Sequence, residues 1–128
     1  MRFINPHKIF VGSFVPNWLM CRTEVSPGAK LLYGRLCQHA GKDGTCYPGQ
    51  DTLAAELGVG ERQVRHYLTE LVGHSLLAVK RLGLGRTNRY LFPLHPWMTD
   101  ADAACDPARE KVIREFLIEM IINNHEKE

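Results

Sequence analysis

No apolar run in these 128 residues comes near the roughly 20 needed to cross a bilayer, so no transmembrane helix is expected. A secretory leader is also missing. Arg2 and Lys8 precede Ile9-Phe10-Val11, but Pro16 soon interrupts the stretch and no small-residue cleavage site follows an apolar core. The expectation is a cytoplasmic chain. Cysteine is sparse, at Cys21, Cys37, Cys46 and Cys105, and no two lie two to four residues apart, so the paired spacing of zinc ligands is lacking. A Cys37, His39 and Cys46 ligand set fails because Cys37 falls inside a helical pattern and reads as core. Free thiols are the expected state in a cytosolic chain. Catalytic signatures are missing too. Asp51 and Glu56 do not stand out as an acid–base pair. Gly58-Val59-Gly60 and Gly83-Leu84-Gly85 lack the strand-to-helix setting and the Lys-Ser/Thr of a phosphate loop. Cys46 has no nucleophile signature around it. The reading is of a non-enzyme with no metal, no cofactor and no evident small-molecule effector.

What is present is an ordinary globular composition with an uneven charge. Hydrophobic residues make up 45% and charged residues 23%, enough for one modest core and against wholesale disorder. The formal net charge is only +2, yet residues 1–99 hold 12 Lys/Arg against 6 Asp/Glu, and residues 100–128 hold 4 against 8. A basic body therefore carries an acidic tail, and a basic body suits a polyanionic partner.

Three regions can be separated: an arm (1–25), a central domain (26–93), and a connector with a C-terminal helix (94–128). In the arm, Pro6 and Pro16 interrupt any long helix, and Trp18-Leu19-Met20 is the expected anchor onto the body. Ser26 as N-cap and Pro27 at the first helical position start a helix. Leu31, Leu32, Leu36 and Cys37 recur along it, and Gly41 ends it. Lys42-Asp43-Gly44 is a turn, and Thr45-Cys46-Tyr47 a short extended piece. A helix over 50–57 carries Leu53, Ala54 and Leu57 on one face. After Gly58-Val59-Gly60, a second runs from Glu61 to about Gly73, with Val64, Leu68 and Leu71 on one face. Two short amphipathic helices joined by a glycine-containing turn make a helix-turn-helix pattern. Leu76 to Arg81 and Asn88 to Phe92 then form a two-stranded hairpin around a glycine-bearing, basic loop. The fold class expected is mainly α with a small β-hairpin, a winged helix-turn-helix.

The ordered set Pro16-Asn17-Trp18-Leu19, Ser26-Pro27-Gly28-Ala29-Lys30-Leu31-Leu32-Tyr33, Tyr47-Pro48, Thr52-Leu53-Ala54, Leu57-Gly58-Val59, Arg62-Gln63-Val64-Arg65 and Asn88-Arg89-Tyr90 resembles a winged helix-turn-helix family. That family is found in plasmid and phage replication initiators and in bacterial transcriptional regulators. The resemblance spans roughly residues 14–92 and implies sequence-specific binding of double-stranded DNA. Two positions depart from the pattern. Gly60 stands where Ser or Thr usually caps the recognition helix, and Ser75 stands where a glycine usually precedes the following strand.

On a helical wheel of about 100° per residue, Val64, Leu68, Leu71 and Tyr67 share the core face. Arg62, His66 and Thr69 point away, flanked by Arg65 and Gln63. Arginine can bond guanine O6/N7 and glutamine adenine N6/N7, and a major groove admits such a helix. Arg86 and Arg89 are the expected wing contacts, with Gly83 and Gly85 allowing close approach. Thr52, or a backbone N–H beside it, can meet a phosphate, and Asp51 is expected to cap its helix. Lys30, Arg35, Lys80 and Arg81 read as solubilising, and His7, His39, His74, His95 and His125 have no readable role. In the tail, Val112, Ile113, Phe116, Leu117, Met120 and Ile121 make an apolar stripe about half the circumference wide. A homodimer through this stripe is the expectation, with folding back onto the arm and first helix as the alternative. The rival reading of the whole chain is a winged-helix docking module for another protein, where the recognition helix is usually not cationic.

Overall fold

The computed structural model describes residues 1–83 and 85–99, together with Glu115, Ile118, Glu119 and Ile122. The dimerisation residues Val112, Ile113, Phe116, Leu117, Met120 and Ile121 lie outside the described residues.

Two short helices, α1 (Pro6–Ile9) and α2 (Asn17–Met20), occupy the arm. Helix α3 runs over Pro27–Ala40, with the Ser26 side chain accepting from the Ala29 N–H as read from the sequence. Strand β1 is Thr45–Cys46. Helices α4 (Gln50–Leu57) and α5 (Glu61–Gly73) follow, then β2 (Ala78–Lys80) and β3 (Arg89–Leu91). A 3-10 turn, Pro96–Thr99, comes after them. The described tail residues Glu115, Ile118, Glu119 and Ile122 are helical. The architecture is α+β: a helical body with a small antiparallel sheet, a winged helix-turn-helix.

The extended piece at Thr45–Cys46 is a full member of the sheet. β3 is the central strand, pairing with β1 through Thr45↔Leu91 and Cys46↔Tyr90 and with β2 through Val79↔Tyr90 and Lys80↔Arg89. The two-stranded hairpin expected from the sequence is thus two strands of a three-stranded sheet. A two-residue strand has too little alternation to be recognised by pattern, and only its partner reveals it.

The core is built from α3, α4, α5 and the sheet: Leu32, Leu36, Leu53, Val64, Leu71, Leu76 and Tyr90 are all essentially buried. Trp18, Tyr33 and Phe92 form an edge-to-face chain, with ring centroids 5.6 Å apart at each step. Trp18 and Leu19 therefore anchor the arm as expected, but Met20 and Leu31 face solvent. Cys37 is half-buried against the core, and Cys46 is buried with its Sγ donating to the Leu36 carbonyl. Burial pushes both thiols up to about 11, which keeps them protonated.

The arm's attachment is narrower than its composition suggests. Its backbone crosses α3 at the buried Gly34, where a Cβ would stand 2.5 Å from the Phe14 carbonyl oxygen. Before that crossing, Phe3, Ile4, Ile9, Phe10 and Val11 remain exposed. Gly34→Ala should therefore lift the arm off α3. Because alanine is the better helix former by about 1 kcal/mol, global stability should change little. Limited proteolysis should then cut within 1–15 faster in the variant, and an unchanged cleavage rate would contradict this account.

Two polar ties hold the helices. Glu70 of α5 accepts from both the N–H and the Oγ of Ser26, at 3.2 and 2.6 Å, completing from another helix the reciprocal cap that a local Glu would supply. Arg35 of α3 donates to Glu56 of α4, whose other oxygen meets His39 at 2.7 Å. Arg35 and His39 thus have structural partners, which solubility alone did not suggest. The Arg35 guanidinium, with His39 assisting and partial burial opposing, holds the Glu56 carboxyl below its ordinary value. A depressed carboxyl contributes stability above the ordinary carboxylate range and loses it as pH falls through the lowered value. Glu56→Gln should accordingly flatten the acid limb of a stability-versus-pH curve. An identical acid limb in the variant would discard this tie.

Helix α5 ends in a Schellman motif. The Leu76 N–H reaches the Leu71 carbonyl and the Ser75 N–H the Val72 carbonyl, with Ser75 left-handed at φ 61°. A side chain in that region costs roughly 1–2 kcal/mol, so Ser75→Gly should raise stability by about 1 kcal/mol in urea denaturation. A loss of stability would mean that the hydroxyl has a contact outweighing the strain.

Candidate nucleic-acid interface

Helices α4 and α5 are joined by Gly58, left-handed at φ 69°, and Gly60, the N-cap of α5. Neither helix start has a side-chain cap. Gly49, not Asp51, is the N-cap of α4, and Asp51 sits within its first turn. The Asp51 cap expected from the sequence is therefore incorrect, because Gly49 already holds the extended backbone the cap position needs. Each helix thus presents first-turn N–H groups that no side-chain cap engages, a favourable place for an anion, with Asp51 and Glu61 as acids nearby.

Helix α5 divides as the wheel indicates. Val64, Leu68 and Leu71 are buried, Tyr67 is half-buried, and Arg62, Gln63, Arg65, His66 and Thr69 are all exposed. The Thr69 hydroxyl donates to the Arg65 carbonyl at 2.9 Å. Arg65 has Glu61 one turn back at 4.0 Å, a separation too long to bind it tightly in water.

Four of these five side chains open onto two different hollows. Arg65 and Thr69 line an open cleft of about 410 Å³ between α5 and the wing, shared with Gln50, Arg81 and Asn88. Gln63 and His66, with Thr69 again, line a hollow of about 780 Å³ between α5 and the start of α3 at Ser26-Pro27-Gly28. The close approach of α3 to α5 there depends on Gly28, whose Cβ would run into the Tyr67 ring. Arg62, in the first turn, lines neither.

The wing contributes in two directions. Gly83 and Gly85 are left-handed, at φ 118° and 76°, and turn the chain so that Arg86 faces the start of α4 across a hollow of about 400 Å³. Asp51 and Glu61 share that hollow with Arg86. Arg89 instead lines a separate hollow of about 660 Å³ with Thr52, His39, Asp43 and Thr45. The structure thus brings Arg65 and Thr69 together with the wing, and sets Thr52 and Arg89 apart from them. Arg81, read from the sequence as merely solubilising, belongs to the helix–wing cleft. So do Gln50 and Asn88, which sequence reasoning missed. Alternation along the hairpin could have placed Arg81; nothing local marks the other two. Lys80 and Arg89 are directly opposed across the sheet, an arrangement of like charges that costs stability unless an anion lies nearby.

Among the described residues no three His, Cys, Asp or Glu side chains converge as a metal site, and no helix is long and apolar enough to cross a membrane.

A helix-turn-helix pair followed by a glycine-tipped wing defines the fold as a winged helix-turn-helix. Residues 23–77 match the family model described as a helix-turn-helix domain. A solved structure titled "N-Terminal domain of DNA binding protein" is similar with a TM-score of 0.55 at 18% identity, covering 80% of this chain and 89% of that one. No curated protein matches the sequence.

Proposed function

We propose that the chain binds double-stranded DNA in a sequence-specific way, with α5 in the major groove and the wing against the backbone. The role is transcriptional regulation or initiation of plasmid or phage replication. The observation that carries this reading is the exposed polar face of α5, with Arg62, Gln63, Arg65, His66 and Thr69 set over a buried apolar face. The family match over 23–77 and the DNA-binding title of the similar structure support it. Within the reading, Arg62, Gln63 and His66 contact bases. Arg65, Arg81 and Arg86 contact phosphates on the wing side. Thr52 and Arg89 serve a more distant stretch of backbone. The protein acts as a homodimer through Val112, Ile113, Phe116, Leu117, Met120 and Ile121, presenting two α5 helices to half-sites about 34–36 Å apart.

A gel shift on mixed-sequence duplex at two salt concentrations tests the reading. Binding that weakens steeply with salt is expected. No binding at low salt would favour a protein-docking role. Arg86→Ala should weaken binding to all sequences alike and reduce the salt slope by about one counterion. A loss confined to one sequence would make Arg86 a base reader instead.

A further inference from the structure

Two bare apolar surfaces of opposite charge occur in this chain. The first is the arm. Phe3 is 88% exposed, and Ile4, Ile9, Phe10, Val11 and Phe14 are also mostly in solvent. Residues 1–23 contain Arg2, Lys8 and Arg22 and no Asp or Glu. The second is on the tail helix. Glu115, Ile118, Glu119 and Ile122 follow the i, i+3, i+4, i+7 spacing of a single helix face. All four are exposed, Ile118 by 56% and Ile122 by 51%. On a sequence wheel of about 100° per residue these positions fall opposite Ile113 and Leu117, on the side that reads as charged from the sequence. The sequence of the tail thus has an apolar set beyond the expected stripe, and this second set is edged by carboxylates.

We propose that the arm of one protomer packs on the Glu115–Ile118–Glu119–Ile122 face of a second copy, and reciprocally. Apolar side chains meet at the centre, and Arg2 and Lys8 lie towards Glu115 and Glu119. The occupant is a second copy because within one chain both surfaces stay exposed. Exchange between two copies covers both at once and closes with two-fold symmetry. The area is adequate. An aromatic side chain buries roughly 150–250 Å², so the three exposed arm phenylalanines alone offer several hundred Å². Two reciprocal contacts, each covering a tail face as well, reach the order of 1,200–2,000 Å² found in stable interfaces. Such patches are also larger than a soluble monomer usually leaves wet. The tether at Gly34 fixes where the arm leaves the body, so each dimer contact also sets the spacing of the two α5 helices. The inference rests on the homodimer part of the reading above and not on DNA binding.

The test is sedimentation and light scattering of the full chain over a range of concentrations, without DNA. One variant carries Phe3→Asp with Phe10→Asp, the other Ile118→Asp with Ile122→Asp. All four positions are exposed in the single chain, so both variants should keep the wild-type circular dichroism. The wild type should dimerise, and each variant alone should dimerise on the order of 30-fold or more weakly. An equimolar mixture of the two should regain a heterodimer, since one arm–tail contact survives in it. A wild-type monomer would overturn both this inference and the homodimer. An arm variant that dimerises like the wild type, or a mixture with no heterodimer, would overturn the exchange alone and leave pairing through the apolar stripe.

Discussion

Tyr90→Ala should lower the folding free energy by about 3–5 kcal/mol, the usual range for deleting a buried aromatic side chain. Tyr90 is 1% exposed at the centre of the middle strand, flanked by Cys46 on one neighbour and Val79 on the other. Its hydroxyl bonds Asn88 and Gln50, and burial, the larger influence, raises its pKa. The ring thus joins the sheet to the core, and its hydroxyl joins the wing to the first residue of α4. A small domain has only about 5–15 kcal/mol in total, so the alanine variant should be substantially less stable in urea denaturation. Tyr90→Phe keeps the ring and should cost only about 0.5–1.5 kcal/mol, yet it should weaken DNA binding by loosening Gln50 and Asn88 in the helix–wing cleft. If Tyr90→Ala were to cost under 1 kcal/mol, the sheet would not be anchored through this residue.

The helices were legible because each signal was local. Ser26-Pro27, the glycines around the α4–α5 turn and the period of Val64, Leu68 and Leu71 each lie within a few residues of what they dictate. The resemblance rested on those same positions. What the sequence concealed was non-local. The partners of Thr45 and Cys46 in β3 are Leu91 and Tyr90, 46 and 44 residues away, and the contact of Glu70 with Ser26 crosses 44. His95 is a further case: buried, it bonds the His74 carbonyl at 2.9 Å at the end of α5 and accepts from the Trp97 N–H. With Arg22 over the Trp97 ring at 4.6 Å, it ties the segment after the wing to the end of α5. No spacing rule could announce such a contact. Asp51 was misassigned for a related reason. A capping side chain and a first-turn acid look alike in sequence, and only the backbone at Gly49 separates them.

The candidate site shows the same division. Outward positions on α5 follow from periodicity alone, and all five are exposed. Which of them share a cleft depends on where the wing and the start of α3 come to rest. Arg65 and Thr69 meet the wing; Gln63 and His66 meet α3. A cation beside the wing faces the line a phosphate backbone would take, whereas one clear of both hollows is free to enter a groove. This makes Arg62, not Arg65, the expected base reader among the arginines of α5.

Arg62→Ala should therefore weaken binding to the best site by about 1–3 kcal/mol, roughly 5–150-fold, and relax preference at one base position. The side chain is exposed in the first turn of α5, the part of a recognition helix that reaches deepest into a major groove. A guanidinium can hold guanine O6 and N7 together, which an ammonium cannot reproduce. Arg62→Lys should then keep most non-specific affinity and still lose the base preference. Arg65→Ala is the contrasting case, with affinity falling on every sequence by a similar factor and little change in preference. The measurement is random-pool selection of the bound sequence with wild type and each variant, followed by titration of the selected duplex at fixed salt. Unchanged affinity of folded Arg62→Ala for that duplex would remove Arg62 from the base-reading set. Base reading would then pass to Gln63 and His66, on the α3 side of the helix.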